Sequence, residues 1–258
     1  MKKLFTLIAF IFSLTMLGSH LSGGDIQYRY IGDSTNVARQ YEVLLRIYRD
    51  NSGIPMGNTQ TVYINSSCYS QQSMTVTLLA GSGGIAPTLF DCVVPSSTTK
   101  TLEIYAYKGV VTLPGNCSNF NFSWNQCCRP GGIDNINTSN GFGSDGFYFD
   151  AELDNTHGQN SSPIFVSEPV RAFCVNNPFN WKQTVMENDG DSIIFSMIKC
   201  RENAYPGTDI NFDAGWTATQ PITSSYFNLD PATGLINFLP TMQEIDVASV
   251  LVEEYRYD

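Results

Sequence analysis

The residues with the clearest potential for chemistry lie at positions 187–192, where the sequence reads Glu-Asn-Asp-Gly-Asp-Ser. Carboxylates this close repel one another unless water or a cation separates them. Asp, Glu and Asn oxygens are the ligands that Ca²⁺ takes, and glycine permits the sharp turn that gathers them. The stretch is therefore either an acidic, solvated turn, since Asn-Asp-Gly is common turn chemistry, or a calcium site. The candidate ligands are Glu187, Asn188, Asp189 and Asp191.

The acidic stretch does not fit the EF-hand calcium loop. With Gly190 at the sixth position of such a loop, the first and twelfth positions fall on Val185 and Ser196, and neither supplies a carboxylate. Strand-forming residues follow at 193–198, so we expect the stretch to lie in a turn before a strand.

Seven cysteines offer a second kind of chemistry. In an exported chain they form disulfides, each worth about 2–4 kcal/mol, and an odd count leaves at least one thiol free or bonded to another chain. Cys127 and Cys128 are adjacent, and because a bond between neighbours is strained, we expect each to pair elsewhere. We predict a Cys174–Cys200 bond, since these two flank the acidic turn. The partners stay open for Cys68, Cys92, Cys117, Cys127 and Cys128.

Composition and the first residues indicate an exported protein. Residues 1–18 read as a signal peptide, with Lys2 and Lys3 before an apolar run that is too short to span a membrane. We therefore expect an extracellular or cell-surface location without membrane insertion of the mature chain. The net charge of −10 argues against nucleic acid and anionic lipid as partners.

Period-two alternation of apolar residues dominates after the signal peptide, as in residues 41–48 and 120–125. No stretch of ten or more residues shows clean helical periodicity, and turn signals are frequent. The sequence therefore predicts an all-β protein of β-sandwich architecture. A composition shift near residues 155–162 divides it into domains at 19–158 and 159–258. The last strand-like run stops abruptly at Asp258, so we expect a longer natural chain.

Seven stretches occur in the same order as in a known family. They are SHLSGGDIQYRYIGDSTNVARQYEVLLRIYRD (19–50), FNFSWNQCCRPGGIDNI (120–136), NSSPIF (160–165), FCVNNPF (173–179), ENDGDSIIFSM (187–197), FNLDPATGLINFLPT (227–241) and VEEYR (252–256). These stretches resemble the leading part of large Bacteroidota surface proteins, the gliding-motility-associated, SprB-like adhesins exported by the type IX secretion system. The resemblance covers nearly the whole expected mature chain.

The second half also resembles cadherin-like and immunoglobulin-like (Ig-like) repeats, in which D-x-D-G-D and the hairpin D-P-x-T-G-x-L recur. This resemblance implies two Ig-like or cadherin-like β-sandwich domains. It places Asp189 and Asp191 at the acidic positions and Asp230 at the hairpin position, so Asp230 joins the candidate calcium ligands. The pair Glu187-Asn188 departs from the usual D-x-Pro lead.

We therefore expect a non-catalytic, exported structural or adhesive module, the front part of a gliding or surface adhesin or filament. Its partner would be a surface glycan or a neighbouring surface protein or subunit. One alternative is a secreted carbohydrate-binding module that stacks sugars on tryptophans. The less favoured alternative is a secreted glycosidase, which needs two carboxylates about 5–10 Å apart. The tryptophans are Trp124, Trp181 and Trp216, and the carboxylate pairs are Asp150 with Glu152 and Glu253 with Glu254.

Overall fold

The computed structural model describes residues 21–32, 38–51, 54–85, 102–136, 146–167 and 172–256. Within these ranges the chain forms strands, turns and loops, which confirms the predicted all-β class. None of the described residues belongs to a helix long and apolar enough to cross a membrane. The predicted signal peptide, residues 1–18, and Cys92 lie outside the described residues.

The first segment, residues 21–158, is built on one large antiparallel sheet. Its strands are β1 (Leu21–Tyr30), β2 (Gln40–Asp50), β3 (Thr59–Asn65), β4 (Gln72–Leu78), β5 (Gly84–Ile85), β6 (Leu102–Thr112), β7 (Phe120–Gln126) and β8 (Phe147–Leu153). The spatial order is β1-β2-β6-β4-β3-β7-β8, with β5 beside β6. The Tyr28 hydroxyl on β1 donates a hydrogen bond to the Glu152 carbonyl on β8 at 2.8 Å, so the sheet is nearly closed.

Strand β2 shows how the sequence pattern builds the core of this sheet. Tyr41, Val43, Leu45 and Ile47 alternate along the strand and are each at most 1% exposed. Because side chains of a strand alternate between its two faces, these residues all point into the sheet interior. Burying one such side chain contributes about 1.5–3 kcal/mol, so the alternation selects the register of β2 between β1 and β6.

Strand β7 is buried on both faces, whereas its sequence predicts a half-buried strand. Asn121 and Ser123, on the face predicted to be solvated, are only 2% exposed. The Asn121 side-chain amide donates to the Asp150 carboxylate at 2.9 Å, and the Asn65 amide donates to the Ser123 hydroxyl at 3.3 Å. These hydrogen bonds satisfy the polar side chains, which makes their burial tolerable. The aromatic face is buried as predicted and carries Phe120, Phe122 and Trp124.

In the second segment, the described residues of 159–256 form four small sheets instead of one. Its strands are β9 (Ile164–Phe165), β10 (Phe179–Lys182), β11 (Val185–Met186), β12 (Ser192–Ile198), β13 (Arg201–Glu202), β14 (Thr208–Asp209), β15 (Ser224–Leu229), β16 (Leu235–Pro240) and β17 (Ser249–Tyr255). The sheets are β10-β16-β15, β9-β11, β12-β17 and β13-β14.

The hairpin between β15 and β16 forms as its turn residues predict. The Gly234 amide donates to the Asp230 carbonyl at 2.9 Å, and the Asp230 amide donates to the Leu235 carbonyl at 2.9 Å. Gly234 has a φ of +68°, a conformation that glycine adopts easily. Aromatic rings pack together at this hairpin, and Phe173 lies edge-to-face against both Phe179 and Phe238. The cluster comprises Phe173, Phe179, Trp181, Phe227 and Phe238.

A loop of the first segment, residues 129–136, enters the second segment. Asn135 is fully buried there, and its side-chain amide donates to the carbonyls of Pro221 and Val247, both at 2.7 Å. The Asn135 side-chain oxygen accepts the Val247 amide at 3.0 Å. The loop also supplies Ile133 and Ile136 to an apolar cluster of the second segment. The division at 158/159 stays a prediction, and contacts in space cross that point of the sequence.

The disulfides differ from the expected pairing at Cys127 and Cys128. These two cysteines are bonded to each other across a cis peptide, so the prediction of separate partners is wrong. Cys68 and Cys117, whose partners the sequence left open, form a disulfide with a Cα separation of 6.0 Å.

The predicted Cys174–Cys200 bond is also wrong, because Cys174 is bonded in another disulfide and Cys200 is a free, buried thiol. Cys200 lies at the far end of β12 from the acidic turn, and its sulfur is 3.1 Å from the Ser249 hydroxyl. A seven-residue strand spans roughly 23 Å at about 3.3 Å per residue, so flanking the turn in sequence does not bring the cysteines together.

Candidate functional site

The acidic stretch forms a compact turn that is held by its own first carboxylate. Both oxygens of Glu187 accept backbone hydrogen bonds, from the amides of Asp189, Gly190 (2.7 Å) and Asp191 (2.9 Å). Gly190 has a φ of +85°, so its lack of a Cβ atom permits the bend. The stretch therefore forms a turn, as Asn-Asp-Gly predicts, and a cation would bind to a turn that is already organised.

Three carboxylates converge beside this turn. One oxygen each from Glu187, Asp191 and Glu254 lies within 4.8 Å of the other two, and we call this group the Glu254 cluster. Glu254 arrives from β17, because the antiparallel pairing of β12 with β17 sets Ser192 opposite Tyr255. The sequence did not indicate Glu254 as a ligand, since its position depends on a strand register that one sequence does not reveal.

Glu254 is the most perturbed carboxyl of the cluster. Burial, together with the negative charges of Asp191, Glu187 and Asp189, raises its pKa to about 7. One Glu254 oxygen accepts the Asn160 side-chain amide at 3.2 Å. The other oxygen, Oε1, is buried and has no hydrogen-bond donor among the described residues. A proton or a cation at Oε1 would relieve both the repulsion and the unsatisfied acceptor.

Arg256 already supplies one positive charge to this site. Its guanidinium binds Asp191 through two hydrogen bonds, of 2.9 and 2.7 Å, and lies 3.9 Å from the Asp189 carboxylate. The same guanidinium donates to the Gln159 carbonyl at 2.9 Å and to the Asn160 side-chain oxygen at 2.8 Å. Arg256 therefore fastens the acidic turn to the chain between the two segments, and any metal ion would share Asp191 with it.

A cavity of about 320 Å³ opens onto the same side chains. Its volume admits a hydrated ion or a small polar ligand. The lining residues are Asp154, His157, Asn160, Asp191, Glu254 and Arg256.

The five predicted calcium ligands are not gathered at one point. Glu187 and Asp191 lie in the Glu254 cluster, whereas the Asp189 carboxylate accepts the Ser161 amide at 2.6 Å and Asn188 is exposed. Asp230 lies in the β15–β16 turn, where its carboxylate accepts the Ala232 amide at 2.9 Å. This hydrogen bond, with one from Thr233, lowers the pKa of Asp230.

The Glu254 cluster nevertheless fits a hard cation by its dimensions. Calcium–oxygen distances are about 2.3–2.6 Å, so two ligand oxygens on opposite sides of one ion are about 4.8 Å apart. The three carboxylates satisfy that limit, and Glu254 Oε1 lacks a donor among the described residues. Comparisons with protein-family models, curated proteins and solved structures find no match to this chain.

The tryptophans do not form exposed stacking platforms. Trp124 is 2% exposed and its ring is stacked on Phe149 with centroids 5.7 Å apart. Trp181 and Trp216 are half-buried, and their indole nitrogens are buried. A sugar-binding platform needs an accessible ring face, which the buried Trp124 does not offer.

The carboxylate pairs considered for glycoside hydrolysis have other surroundings. Asp150 forms an ion pair with Arg201 at 2.5 Å and accepts the Asn121 amide, while Glu152 is exposed. Glu253 and Glu254 are neighbours on β17, so they point to opposite faces of the strand.

Proposed function

We propose that this chain is a non-catalytic, exported cell-surface module with a structural or adhesive role, the front part of a larger gliding or surface adhesin or filament. Its partner is a surface glycan or a neighbouring surface protein. The observation that carries this proposal is the firm junction between the two segments. A structural module must hold its parts in a fixed arrangement, whereas domains joined by a linker move by default.

The junction is supported by contacts in three places. The 129–136 loop enters the second segment through Asn135. Arg201 of the second segment pairs with Asp150 at 2.5 Å and lies over the Tyr148 ring at 5.0 Å. The Tyr28 backbone amide of the first segment donates to the Ser162 hydroxyl of the second at 2.9 Å. Contacts that are spread over the junction resist bending in more than one direction, as a surface filament requires.

We also propose a fold for each of the two segments. The two segments would be Ig-like or cadherin-like β-sandwich domains, and the β15–β16 hairpin with its Asp-Pro-x-x-Gly turn supports this for the second. Calcium at the Glu254 cluster would stiffen the second segment, where it joins the acidic turn to β17. Its ligands would be Glu187, Asp191 and Glu254, in place of the ligand set that the sequence predicts.

The experiment is an adhesion assay with the full oxidised chain on beads. The beads would be applied to arrayed glycans and to surfaces coated with the same chain or with outer-surface extract. We expect retention without any release of reducing sugar. Turnover of a glycan would refute the non-catalytic role, and absence of retention on every surface would refute the adhesive one. An Arg201→Ala, Asn135→Ala double variant tests whether retention depends on the junction.

A further inference from the structure

The 129–136 loop and the loop before β17 bind each other through paired hydrogen bonds. The Asp134 amide donates to the Ile245 carbonyl, and the Ile245 amide donates to the Asp134 carboxylate, both at 2.8 Å. Next to this pair, Asn135 exchanges two hydrogen bonds with the Val247 backbone. The Asn135 side-chain amide thus forms the pair of hydrogen bonds that the backbone of a neighbouring strand would form. These bonds join the first segment to the second.

Three carboxyl groups lie at this contact, and we call them the Asp246 cluster: Asp134, Glu244 and Asp246. One oxygen of Asp134 accepts the Ile245 amide, and one oxygen of Glu244 accepts the Thr223 amide at 2.5 Å. Glu244 Oε2 and Asp246 Oδ1 are buried and have no hydrogen-bond donor among the described residues. Two such acceptors destabilise the contact unless something satisfies them.

We propose that a single proton shared between Glu244 and Asp246 latches the 129–136 loop into the second segment, and that alkaline pH opens this latch. One carboxylic acid donates to its carboxylate neighbour, which satisfies an oxygen of each group. When the proton leaves, three adjacent carboxylates carry full negative charges at the loop contact. Their repulsion then acts directly on the Asp134–Ile245 pair and on the neighbouring Asn135–Val247 pair.

The electrostatics of Asp246 support this geometry. Burial raises its pKa to about 8, and the hydrogen bond to Glu244 and the charges of Glu244 and Asp134 act in the same direction. A carboxyl whose pKa is higher in the folded than in the unfolded state binds its proton more tightly when folded. Its stabilisation is complete below about pH 4 and is lost as the pH rises through about 8.

Two backbone amides report directly on the latch. The Ile245 amide donates to Asp134, and the Val247 amide donates to Asn135, so both become exchangeable when the loop opens. Hydrogen exchange of the full oxidised chain would be measured from pH 5.5 to 9 and corrected for the intrinsic pH dependence of exchange. We expect their protection to fall at least tenfold, whereas the amides of Val43 and Leu45 in the large sheet keep theirs.

The Asp246→Asn variant separates the latch from general alkaline loosening. Its amide donates to Glu244 at every pH, so the two reporter amides should keep constant protection. A flat profile in the wild type, or an unchanged fall in this variant, would overturn the proposal. If Asp246→Asn does not fold, Glu244→Gln is the second variant with the same expectation. A carboxyl-carbon NMR titration that places the pKa of Asp246 below 5 would overturn it as well.

Discussion

The two acidic clusters occupy the same kind of place but are neutralised differently. The Glu254 cluster and the Asp246 cluster each lie where the second segment meets the first, and each contains three carboxyl groups. In the Glu254 cluster, the Arg256 guanidinium binds Asp191 with two hydrogen bonds. In the Asp246 cluster, the charged groups that act on Asp246 are both acidic.

Close carboxylates need a countercharge, and the kind of countercharge determines whether the contact responds to pH. An arginine keeps its charge at every physiological pH, so the contact that it makes does not titrate. A shared proton leaves within the range that a protein meets in solution. The Glu254 cluster, with one neutralised and one unsatisfied carboxylate, is suited to a cation, whereas the Asp246 cluster is suited to a proton.

The largest expected effect comes from Asn135→Ala, which removes the uncharged contact beside the Asp246 cluster. The substitution leaves the Pro221 carbonyl and both Val247 backbone groups without their partner in a buried place. We expect a loss of about 3 kcal/mol in the free energy of unfolding, measured by urea denaturation. Asn188→Ala, at an exposed asparagine, is the matched control. A loss below about 1 kcal/mol would show that the loop contact does not hold the junction.

The next-largest effect should come from calcium, which we expect to stabilise the chain through the Glu254 cluster and not through the Asp246 cluster. A specific site filled at about 100 times its dissociation constant adds about 2.7 kcal/mol, which raises the unfolding temperature by several degrees. We expect this rise in differential scanning calorimetry of the oxidised chain with excess Ca²⁺ against chelator. Glu254→Gln should abolish it, and Asp246→Asn should not. Asp230→Asn is the control at a predicted ligand outside the cluster, and loss of the calcium effect there would place the ion elsewhere.

In the presence of chelator, both clusters should make the folded chain less stable as the pH rises. The pKa of Glu254 is raised to about 7 and that of Asp246 to about 8, so both carboxyls bind protons more tightly in the folded state. Their stabilisation is therefore lost as the pH rises through these values. The unfolding temperature should fall by a few degrees between pH 5.5 and 8.5. Asp246→Asn combined with Glu254→Gln should flatten the curve, and an unchanged curve would contradict the assignment.

With excess Ca²⁺, the contribution of the Glu254 cluster to the unfolding temperature should increase with pH instead of decreasing. Calcium binds the ionised carboxylate, so acidification below about pH 7 releases the ion and lowers the unfolding temperature. The same scan in chelator is the control. A curve that runs parallel with and without Ca²⁺ would leave the cluster as a solvated turn with an arginine.

Local features were readable from the sequence, because alternation and turn residues act over a few positions. The buried face of β2 and the Asp230–Gly234 turn both formed as predicted. The acidic turn also formed, since Glu187 and Gly190 complete it without distant partners. The adhesive role, the export and the calcium ion stay predictions.

Contacts between residues that are far apart in the sequence could not be predicted from the sequence. Glu254 reaches the acidic turn only through the register of β17 on β12, and Asn135 is buried only because a distant segment packs around it. The Cys174–Cys200 prediction failed for the same reason, since positions on either side of a turn in the sequence need not be close in space. The sequence did contain one signal for the Asp246 cluster that our sequence-based predictions did not use. Two loops carry three acidic residues and an asparagine, in Asp134-Asn135 and Glu244-x-Asp246.

The smallest expected effect comes from Arg256→Ala, and its sign depends on the ligand. Arg256 is one-third exposed, so its ion pair with Asp191 contributes little, and without calcium we expect a loss of about 1 kcal/mol. The same substitution frees both Asp191 oxygens, so calcium should bind several-fold more tightly, as measured by isothermal titration calorimetry. Arg201→Ala, at the ion pair with Asp150 that joins the two segments, should leave the calcium affinity unchanged. Weaker calcium binding in Arg256→Ala would mean that the guanidinium organises the carboxylates instead of competing for them, and the two clusters would then differ less than their countercharges indicate.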